Sequence, residues 1–309
     1  MTDKSENNKV PARQSGRRRF FQALAGVSSG AAAGLVGIKV MGSSEAKAAE
    51  IPQALTESNG KVLLRMQQDL EQTLTSGRTP SWLMVVDTRK CIGCDSCTIA
   101  CRAENPTGPG SNFRRVIKKD LPIGPRPWAI YKPVNCLQCD DAPCARAVPQ
   151  SMITKRPDGI VELNQDSLRG PYAEAAARAC PLNLMHVEGR ETFTGSTQNP
   201  QAYEGRTFVE NGKVHSRKPE LNSLAGAARK CTFCSHLLDV GELPACVSTC
   251  IGGAMYFGDA NSPSSLISEI TKGRRVFKGH ENLGLKPRVI YFTESMPNVP
   301  HIECAACHS

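Results

Sequence analysis

Four closely spaced cysteines constrain this chain more than any other feature. They follow one another at intervals of three, three and four residues: Cys91, Cys94, Cys97 and Cys101. The first three lie on a tight Gly-containing loop, and the fourth lies a helical turn further on. This spacing is typical of thiolates that bind a cubane iron–sulfur cluster, with the fourth sulfur reaching a different cluster. Complementary cysteines are therefore expected elsewhere in the chain.

The composition agrees with a fold that its cysteines hold together. Aromatic residues make up only 5% of the 309 residues, whereas the chain contains 26 Gly, 21 Pro and 14 Cys. A chain with so few large core residues usually needs disulfides or metal ligands. A secreted disulfide framework is the alternative, but cysteines packed as closely as Cys91 to Cys101 cannot easily pair with good disulfide geometry.

The positive charge does not indicate a nucleic-acid partner. The formal net charge is +9, but residues 1–48 contain eight Lys or Arg against three Asp or Glu and so account for +5 of it. The remaining residues lack a basic run interleaved with aromatic side chains, which nucleic-acid binding would favour. We expect no nucleic acid among the partners.

Residues 1–48 have the pattern of an export signal. Positions 17–21 read Arg-Arg-Arg-Phe-Phe, an apolar Gly- and Ala-rich stretch follows, and Ala46-Lys47-Ala48 forms an A-x-A site. The paired arginines resemble the twin-arginine type of signal, which predicts a periplasmic protein. An uncleaved membrane anchor is the alternative, although Lys39 and the many Gly and Ser residues disfavour a spanning helix.

Short helices and strands are predicted between the cysteines. Helical spacing of apolar residues predicts helices at 61–75 and 264–271, and apolar runs predict strands at 82–86, 128–131, 254–257 and 288–293. Two β-hairpins are predicted, at 153–163 with Pro157-Asp158-Gly159 at the turn and at 207–215 with Asn211-Gly212 at the turn.

Three further cysteine groups follow the first. They are Cys136, Cys139 and Cys144; then Cys180 alone before Pro181; and finally Cys231, Cys234, Cys246 and Cys250. In the second group, Val148 stands where a fourth thiolate would be expected. In the third group, Gly170, Ala173 and Ala176 stand at the other expected positions.

In order and spacing these groups resemble the periplasmic iron–sulfur electron-transfer subunits of the dimethyl sulfoxide reductase superfamily. Over residues 80–260 the chain is most similar to the tetrathionate and polysulfide reductase subunits, and subunits that partner nitrite or sulfite reductases are close relatives. The motifs include Cys91-Ile-Gly-Cys94, Pro157-Asp-Gly-Ile160 and Lys230-Cys-Thr-Phe-Cys234. The resemblance implies an α+β fold with a duplicated ferredoxin-like core and β-hairpin insertions.

The resemblance also implies how the thiolates are shared, because the two halves of such proteins exchange fourth ligands. Two complete sets, each for a [4Fe-4S] cluster, would be Cys91, Cys94, Cys97 with Cys180, and Cys136, Cys139, Cys144 with Cys250. Cys231, Cys234 and Cys246 would face Val148 and hold a [3Fe-4S] or three-cysteine [4Fe-4S] cluster. Cys101 would face Gly170, Ala173 and Ala176, which predicts an empty fourth site and an inert buried thiol.

The C-terminal sequence Cys304-Ala-Ala-Cys307-His308 matches the attachment motif of a c-type haem. We predict a covalent haem c, with Cys304 and Cys307 bonded to its vinyl groups and His308 bound to its iron. A disulfide or redox pair and adventitious metal binding are the alternatives. The sixth ligand stays open among Met296, His280, His301 and a partner residue.

We predict four segments: a signal peptide at 1–48, a helical segment at 49–80, the cluster domain at 81–260, and an extension with the haem tail at 261–309. No nucleophile, base and acid come together in the sequence, so we expect no catalysis by this chain alone. The predicted function is electron transfer between a quinone-exchanging membrane subunit and a catalytic molybdopterin or multihaem cytochrome subunit. A free-standing periplasmic carrier between cytochromes is the alternative.

Overall fold

A computed structural model describes most of the chain between Glu57 and Phe292. The described residues are 57–121, 128–191, 202–217, 222–273, 276–277 and 283–292. The predicted signal at 1–48 and the predicted haem motif lie outside them. Among the described residues, no helix combines the length and the apolar character needed to cross a membrane.

The structure is an alternation of short helices and strands. The helices are α1 (Asn59–Thr75), α2 (Ser96–Glu104), α3 (Pro143–Arg146), α4 (Pro171–Ala179), α5 (Ser235–Leu238), α6 (Ala245–Ser248) and α7 (Leu266–Thr271). The strands are β1 (Trp82–Val86), β2 (Arg114–Leu121), β3 (Trp128–Asn135), β4 (Ile153–Lys155), β5 (Val161–Leu163), β6 (Met185–Val187), β7 (Thr207–Glu210), β8 (Lys213–Ser216), β9 (Ala228–Lys230), β10 (Met255–Asp259), β11 (Val276–Phe277) and β12 (Val289–Phe292).

A four-stranded sheet in the order β10-β1-β12-β11 forms the main core. Strand β1 pairs antiparallel with β10, so that Val86 lies opposite Met255, and parallel with β12. Its sequence Trp-Leu-Met-Val-Val is almost continuously apolar because both faces of a central strand are covered. The prediction of a strand at 82–86 is confirmed.

Helix α1 covers this sheet, and the predicted N-terminal helix is therefore confirmed. Its apolar stripe of Val62, Met66 and Leu70 is buried. The helix packs on β10, where the Phe257 backbone N–H lies 3.2 Å from the Met66 sulfur. The stripe has the spacing of one helical face, so burying it aligns α1 with the sheet.

The two predicted hairpins also form. Strands β4 and β5 pair antiparallel around the Pro157-Asp158-Gly159 turn, and β7 and β8 pair around Asn211-Gly212. Asn211 has φ 48° and Gly212 has φ 73°. Positive φ at both central residues is what a type I′ turn requires, which explains the Asn-Gly sequence.

Two more antiparallel pairs lead into cysteine groups. Strand β2 pairs with β3, which ends at Asn135, next to Cys136. Strand β6, which follows Cys180, pairs with β9, which ends at Lys230, next to Cys231. The strand predicted at 128–131 is thus longer than expected, and β2 was not predicted. The charged sequence Arg-Arg-Val-Ile-Lys-Lys of β2 has no apolar run, so its strand conformation depends on pairing with β3.

The described residues pack into two apolar clusters. The larger one contains the four-stranded sheet, α1 and α7. The smaller one surrounds α4 and the β4–β5 hairpin and includes Val148, Ala173 and Ala176. The cysteines lie in and between these clusters.

Candidate iron–sulfur cluster sites

The twelve described cysteines are all free thiols, and the structure gathers them into three sets of four. The first set, Cys91, Cys94, Cys97 and Cys250, lines one cavity. The second set, Cys101, Cys231, Cys234 and Cys246, lines another. The third set is Cys136, Cys139, Cys144 and Cys180, whose thiols act electrostatically on one another.

Helices α2 and α6 explain why the first two sets interlock. Cys97 and Cys101 lie one turn apart on α2, and Cys246 and Cys250 have the same spacing on α6 and just beyond it. The two helices pack against each other. Residues four apart lie on the same helix face at different heights. Each helix therefore supplies one thiol to each set.

Helices α3 and α4 form a similar pair around the third set. They pack together and bring Cys144 and Cys180 into one set. Val148, four residues after Cys144, and Ala176, four residues before Cys180, take the places that Cys101 and Cys246 have in the first pair. Val148, Ala173 and Ala176 are buried among apolar side chains of the smaller cluster. The fourth position of the arrangement is thus apolar core.

The predicted exchange of fourth ligands is wrong. Cys250, not Cys180, joins Cys91, Cys94 and Cys97, and Cys180, not Cys250, joins the thiols of the second group. Cys101 is no isolated thiol, since it completes the set of Cys231, Cys234 and Cys246. The reason is the β1–β10 pairing, which joins the first and last cysteine groups and leaves the second and third to each other. A three-thiol set, the basis for a [3Fe-4S] cluster, is absent from the described residues.

The prediction that Cys101 is an inert thiol is wrong, although its sequence spacing indicated a ligand of a second cluster. Its spacing from Cys97 is that of a thiolate serving a different cluster. The missing information was which distant group supplies the other three thiols. Local spacing is the same whichever group that is, so only the strand pairing decides.

Burial differs among the sets in a regular way. All four thiols of the second set are buried, whereas the first and third sets are partly accessible and Cys94 is exposed. Asn135 connects the second and third sets, because its side-chain amide donates to the Cys136 carbonyl and points at the Cys231 sulfur 3.6 Å away. The second set therefore lies between the other two.

The pKa values indicate that these thiols are poorly suited to be free thiolates. Burial is the main cause that raises the pKa of Cys97 to about 11, of Cys231 to about 11 and of Cys139 to about 12, and the negative charge of neighbouring thiolates contributes to these values. Burial likewise raises the pKa of Cys101. Several buried thiolates together would repel one another unless a cation compensates them. Bound iron supplies that charge and displaces the protons.

Polar hydrogens approach the sulfur atoms of the second set from several directions. The Phe233 backbone N–H lies 3.4 Å from the Cys231 sulfur, and the Asn105 amide lies 3.6 Å from the Cys234 sulfur. Hydrogen bonds to cluster sulfurs help to set reduction potentials. N–H groups aimed at these sulfur atoms are therefore what an iron–sulfur cluster at the second set would require.

The loops between the cysteines adopt the backbone conformation that wrapping a cluster demands. Gly93, between Cys91 and Cys94, has φ 72°, and a Cβ there would collide with the Tyr131 ring. Non-glycine residues with positive φ occur in the same loops, at Asp95, Gln138 and Phe233. Such conformations persist at functional sites because the surroundings hold them.

The thiols do not converge on single metal ions. In the described part of the chain, no three His, Cys, Asp or Glu side chains are placed to hold one ion together. Thiols that are too far apart to share one ion agree with cluster ligands, since each thiolate of a cubane binds a different iron. The described histidines have other contacts: His236 lies 2.8 Å from a Glu104 oxygen, and His186 3.0 Å from the Asn112 carbonyl.

Comparison with known proteins agrees with this chemistry. Residues 128–197 and 212–260 match the family model of the 4Fe-4S dicluster domain. The chain is thus an iron–sulfur protein with mixed helices and strands and a ferredoxin-like domain.

Relatives among the B subunits of respiratory reductases narrow the class. That of the selenate reductase of Mesobacillus selenatarsenatis is 38% identical over 240 residues, which cover 77% of this chain and 81% of the relative. The arsenate respiratory reductase iron–sulfur protein ArrB of Shewanella sp. is 30% identical over 67% of this chain and 94% of the relative. The corresponding protein of the tetrathionate reductase of Salmonella typhimurium is 32% identical over 68% of this chain and 71% of the relative.

The chain belongs to the family of iron–sulfur B subunits of the dimethyl sulfoxide, tetrathionate, polysulfide and selenate reductases. Members of this family are electron-transfer subunits of respiratory reductase complexes and not their catalytic subunits. The prediction of an electron-transfer subunit is confirmed, and it is favoured over a free-standing carrier.

Proposed function

We propose that this chain is the periplasmic electron-transfer subunit of a respiratory reductase and binds three [4Fe-4S] clusters, one in each set of cysteines. The grouping of twelve thiols into three sets of four supports this most directly. Four thiolates per cluster is the usual ligation of a [4Fe-4S] cluster. When bound, each cluster accepts and releases one electron.

The core is a duplicated ferredoxin-like unit in which one copy is inserted into the other. The outer copy consists of β1, α2, α6 and β10 with the first and second sets. The inner copy lies within residues 128–187 and has α3, α4 and the third set. Each copy has a pair of packed helices. In the outer copy each helix, with the residues just after it, has two cysteines four residues apart, and in the inner copy one cysteine of each such pair is replaced by an apolar residue.

The three sets form a continuous route. Cys97 of the first set lies within electrostatic reach of Cys246 of the second, and Cys231 of the second lies within reach of Cys136 of the third. The exposed Cys94 places one end of this route at the surface. The other end is the third set, because the next position is occupied by Val148, Ala173 and Ala176.

The partners would be a catalytic subunit, of the molybdopterin or multihaem cytochrome type, and a quinone-exchanging integral membrane subunit. The relatives named for selenate, arsenate and tetrathionate reductases make an inorganic oxyanion of selenium, arsenic or sulfur the proposed terminal substrate. Export through the twin-arginine route follows from the sequence of residues 1–48. A covalent haem at Cys304, Cys307 and His308 would add a further redox centre beside the clusters.

Iron analysis and EPR test the proposal. Anaerobically purified protein should contain about twelve non-haem iron and about twelve acid-labile sulfide per chain, as three cubanes require. The oxidised protein should lack a [3Fe-4S] signal, and dithionite reduction should produce overlapping signals of interacting [4Fe-4S] clusters. A colourless protein with disulfide-bonded cysteines would contradict the proposal, as would a stoichiometric [3Fe-4S] signal in carefully protected protein.

A further inference from the structure

Arg114 is a buried cation at the boundary between the first and second sets. Its side chain is 2% exposed and lines the cavity of the second set. Its Nη2 atom lies 3.2 Å from the Cys246 sulfur and 3.1 Å from the Met84 sulfur. Its Nε and Nη1 atoms have no hydrogen-bond partner among the described residues. Two donor nitrogens of a buried guanidinium thus remain available beside the cysteines.

The β2–β3 hairpin places this charge between the two cavities. Arg114 begins β2 at the second cavity, and Val116, two residues further on, lines the first cavity with Pro133 of β3. Burial alone would lower the pKa of Arg114, but the negative charge of Cys246, Cys97 and Cys231 outweighs it and raises the pKa. Those cysteines belong to both sets.

Lys230 has the corresponding position between the second and third sets. It is 1% exposed and directly precedes Cys231, whose carbonyl its Nζ contacts at 3.2 Å. The same Nζ contacts the Val161 carbonyl at 2.5 Å and the Gln138 side-chain carbonyl at 3.3 Å. Gln138 lies in the third-set loop between Cys136 and Cys139. All three contacts are to neutral oxygens.

A third buried cation shows what a structural arginine looks like in this fold. Arg229 is 2% exposed but is paired with Glu188 at 2.8 Å and with Glu210. Among the described residues, neither Arg114 nor Lys230 has a carboxylate partner. A buried charge without a counterion is costly. The negative charge that would offset this cost lies in the neighbouring thiolate sets.

We propose that Arg114 and Lys230 are positioning residues that set the reduction potentials at the two junctions of the relay, Arg114 for the first and second clusters and Lys230 for the second and third. This inference rests on the three clusters proposed above. A cation close to a cluster favours the state with one more electron, so it raises the potential. The second cluster lies beside both cations. Of the three clusters, it should therefore show the largest increase in reduction potential caused by these cations.

Potentiometric titration followed by EPR tests the inference on the purified, cluster-loaded full chain. In Arg114→Gln, the ratio of reduced to oxidised cluster at a fixed potential should fall at least tenfold for two of the three clusters, which is about 59 mV for one electron. The remaining cluster should not change. Lys230→Gln should also affect two clusters, and the one it leaves unchanged should differ from the one that Arg114→Gln leaves unchanged.

Two further variants separate charge from geometry. Arg114→Lys retains the charge. The ratio of reduced to oxidised cluster at a fixed potential should therefore stay within about threefold of that in the unmodified protein. Lys118→Gln removes an exposed cation from the same strand β2 and should change nothing. Unchanged potentials in loaded Arg114→Gln would overturn the role of Arg114, and the same result in Lys230→Gln would overturn that of Lys230.

Cluster loss in Arg114→Gln also has a defined meaning. If Arg114→Gln does not retain iron, Arg114→Lys is the deciding variant. Full iron content and normal potentials in Arg114→Lys would support a requirement for positive charge at this position. Iron loss in Arg114→Lys as well would refute that requirement. An unmodified protein with far less than about twelve non-haem iron per chain would refute the three clusters themselves. That result is separate from any effect of the variants.

Discussion

Replacing Cys101 with alanine would distinguish the observed grouping of thiols from the one expected from spacing. Cys101 lies on α2 and is 6% exposed. Its thiol lines the same cavity as Cys231, Cys234 and Cys246. Alanine offers no donor atom, so the second set would have three thiolates left. Because alanine has the highest helix propensity, α2 should persist and the other two sets should keep their geometry.

The size of the effect follows from the count of ligands. A cubane that loses one thiolate ligand tends to lose the iron which that ligand held, so the non-haem iron content should fall from about twelve to about eleven per chain. The oxidised variant should gain a [3Fe-4S] signal of about one spin per chain. If the altered cluster were lost completely, non-haem iron would fall to about eight per chain, which also places Cys101 among the ligands.

Iron analysis and EPR spin quantification of protein purified without oxygen measure both quantities. Ile99→Ala is the matched control, since Ile99 is on the same helix but is 68% exposed and lines neither of the cavities of the first and second sets. A non-haem iron content of about twelve per chain in Cys101→Ala, without a new signal, would show that Cys101 is an inert thiol. The assignment of the second set would then be refuted.

The remaining predictions concern Val148 at the apolar fourth position, Gly159 in the β4–β5 turn, and Cys304 in the predicted haem motif. Val148→Ala should lower the free energy of unfolding by about 2 kcal/mol in denaturant titration without changing the iron content, because it removes buried methyl groups and no ligand. Gly159→Ala should lower it by about 1–3 kcal/mol, since Gly159 has φ 92° and a Cβ there would collide with the Arg288 guanidinium; normal stability would contradict this. Cys304→Ser should abolish normal two-bond haem attachment, detected by the pyridine haemochrome spectrum after denaturation, while the iron–sulfur signals remain.

Local elements of the fold were predictable where the sequence pattern is itself local. The Asn211-Gly212 turn needs only two residues with positive φ, and the stripe of α1 needs only helical spacing. Strand β2 was missed because its charged residues carry no apolar pattern. Its partner β3 supplies the hydrogen bonds that make it a strand.

The sequence by itself determined the chemistry of this protein. The spacing of Cys91 to Cys101 and of the later groups identifies thiolates arranged for iron–sulfur clusters, and Val148, Ala173 and Ala176 stand where further thiolates would be expected. Only the tertiary structure decided which distant thiols belong to the same set. The pairing of β1 with β10 brings the first and last groups together across most of the chain, and the spacing within each group is the same for either partner. Long-range strand pairing, which local sequence spacing does not encode, therefore assigned Cys101, Cys180 and Cys250 to their sets.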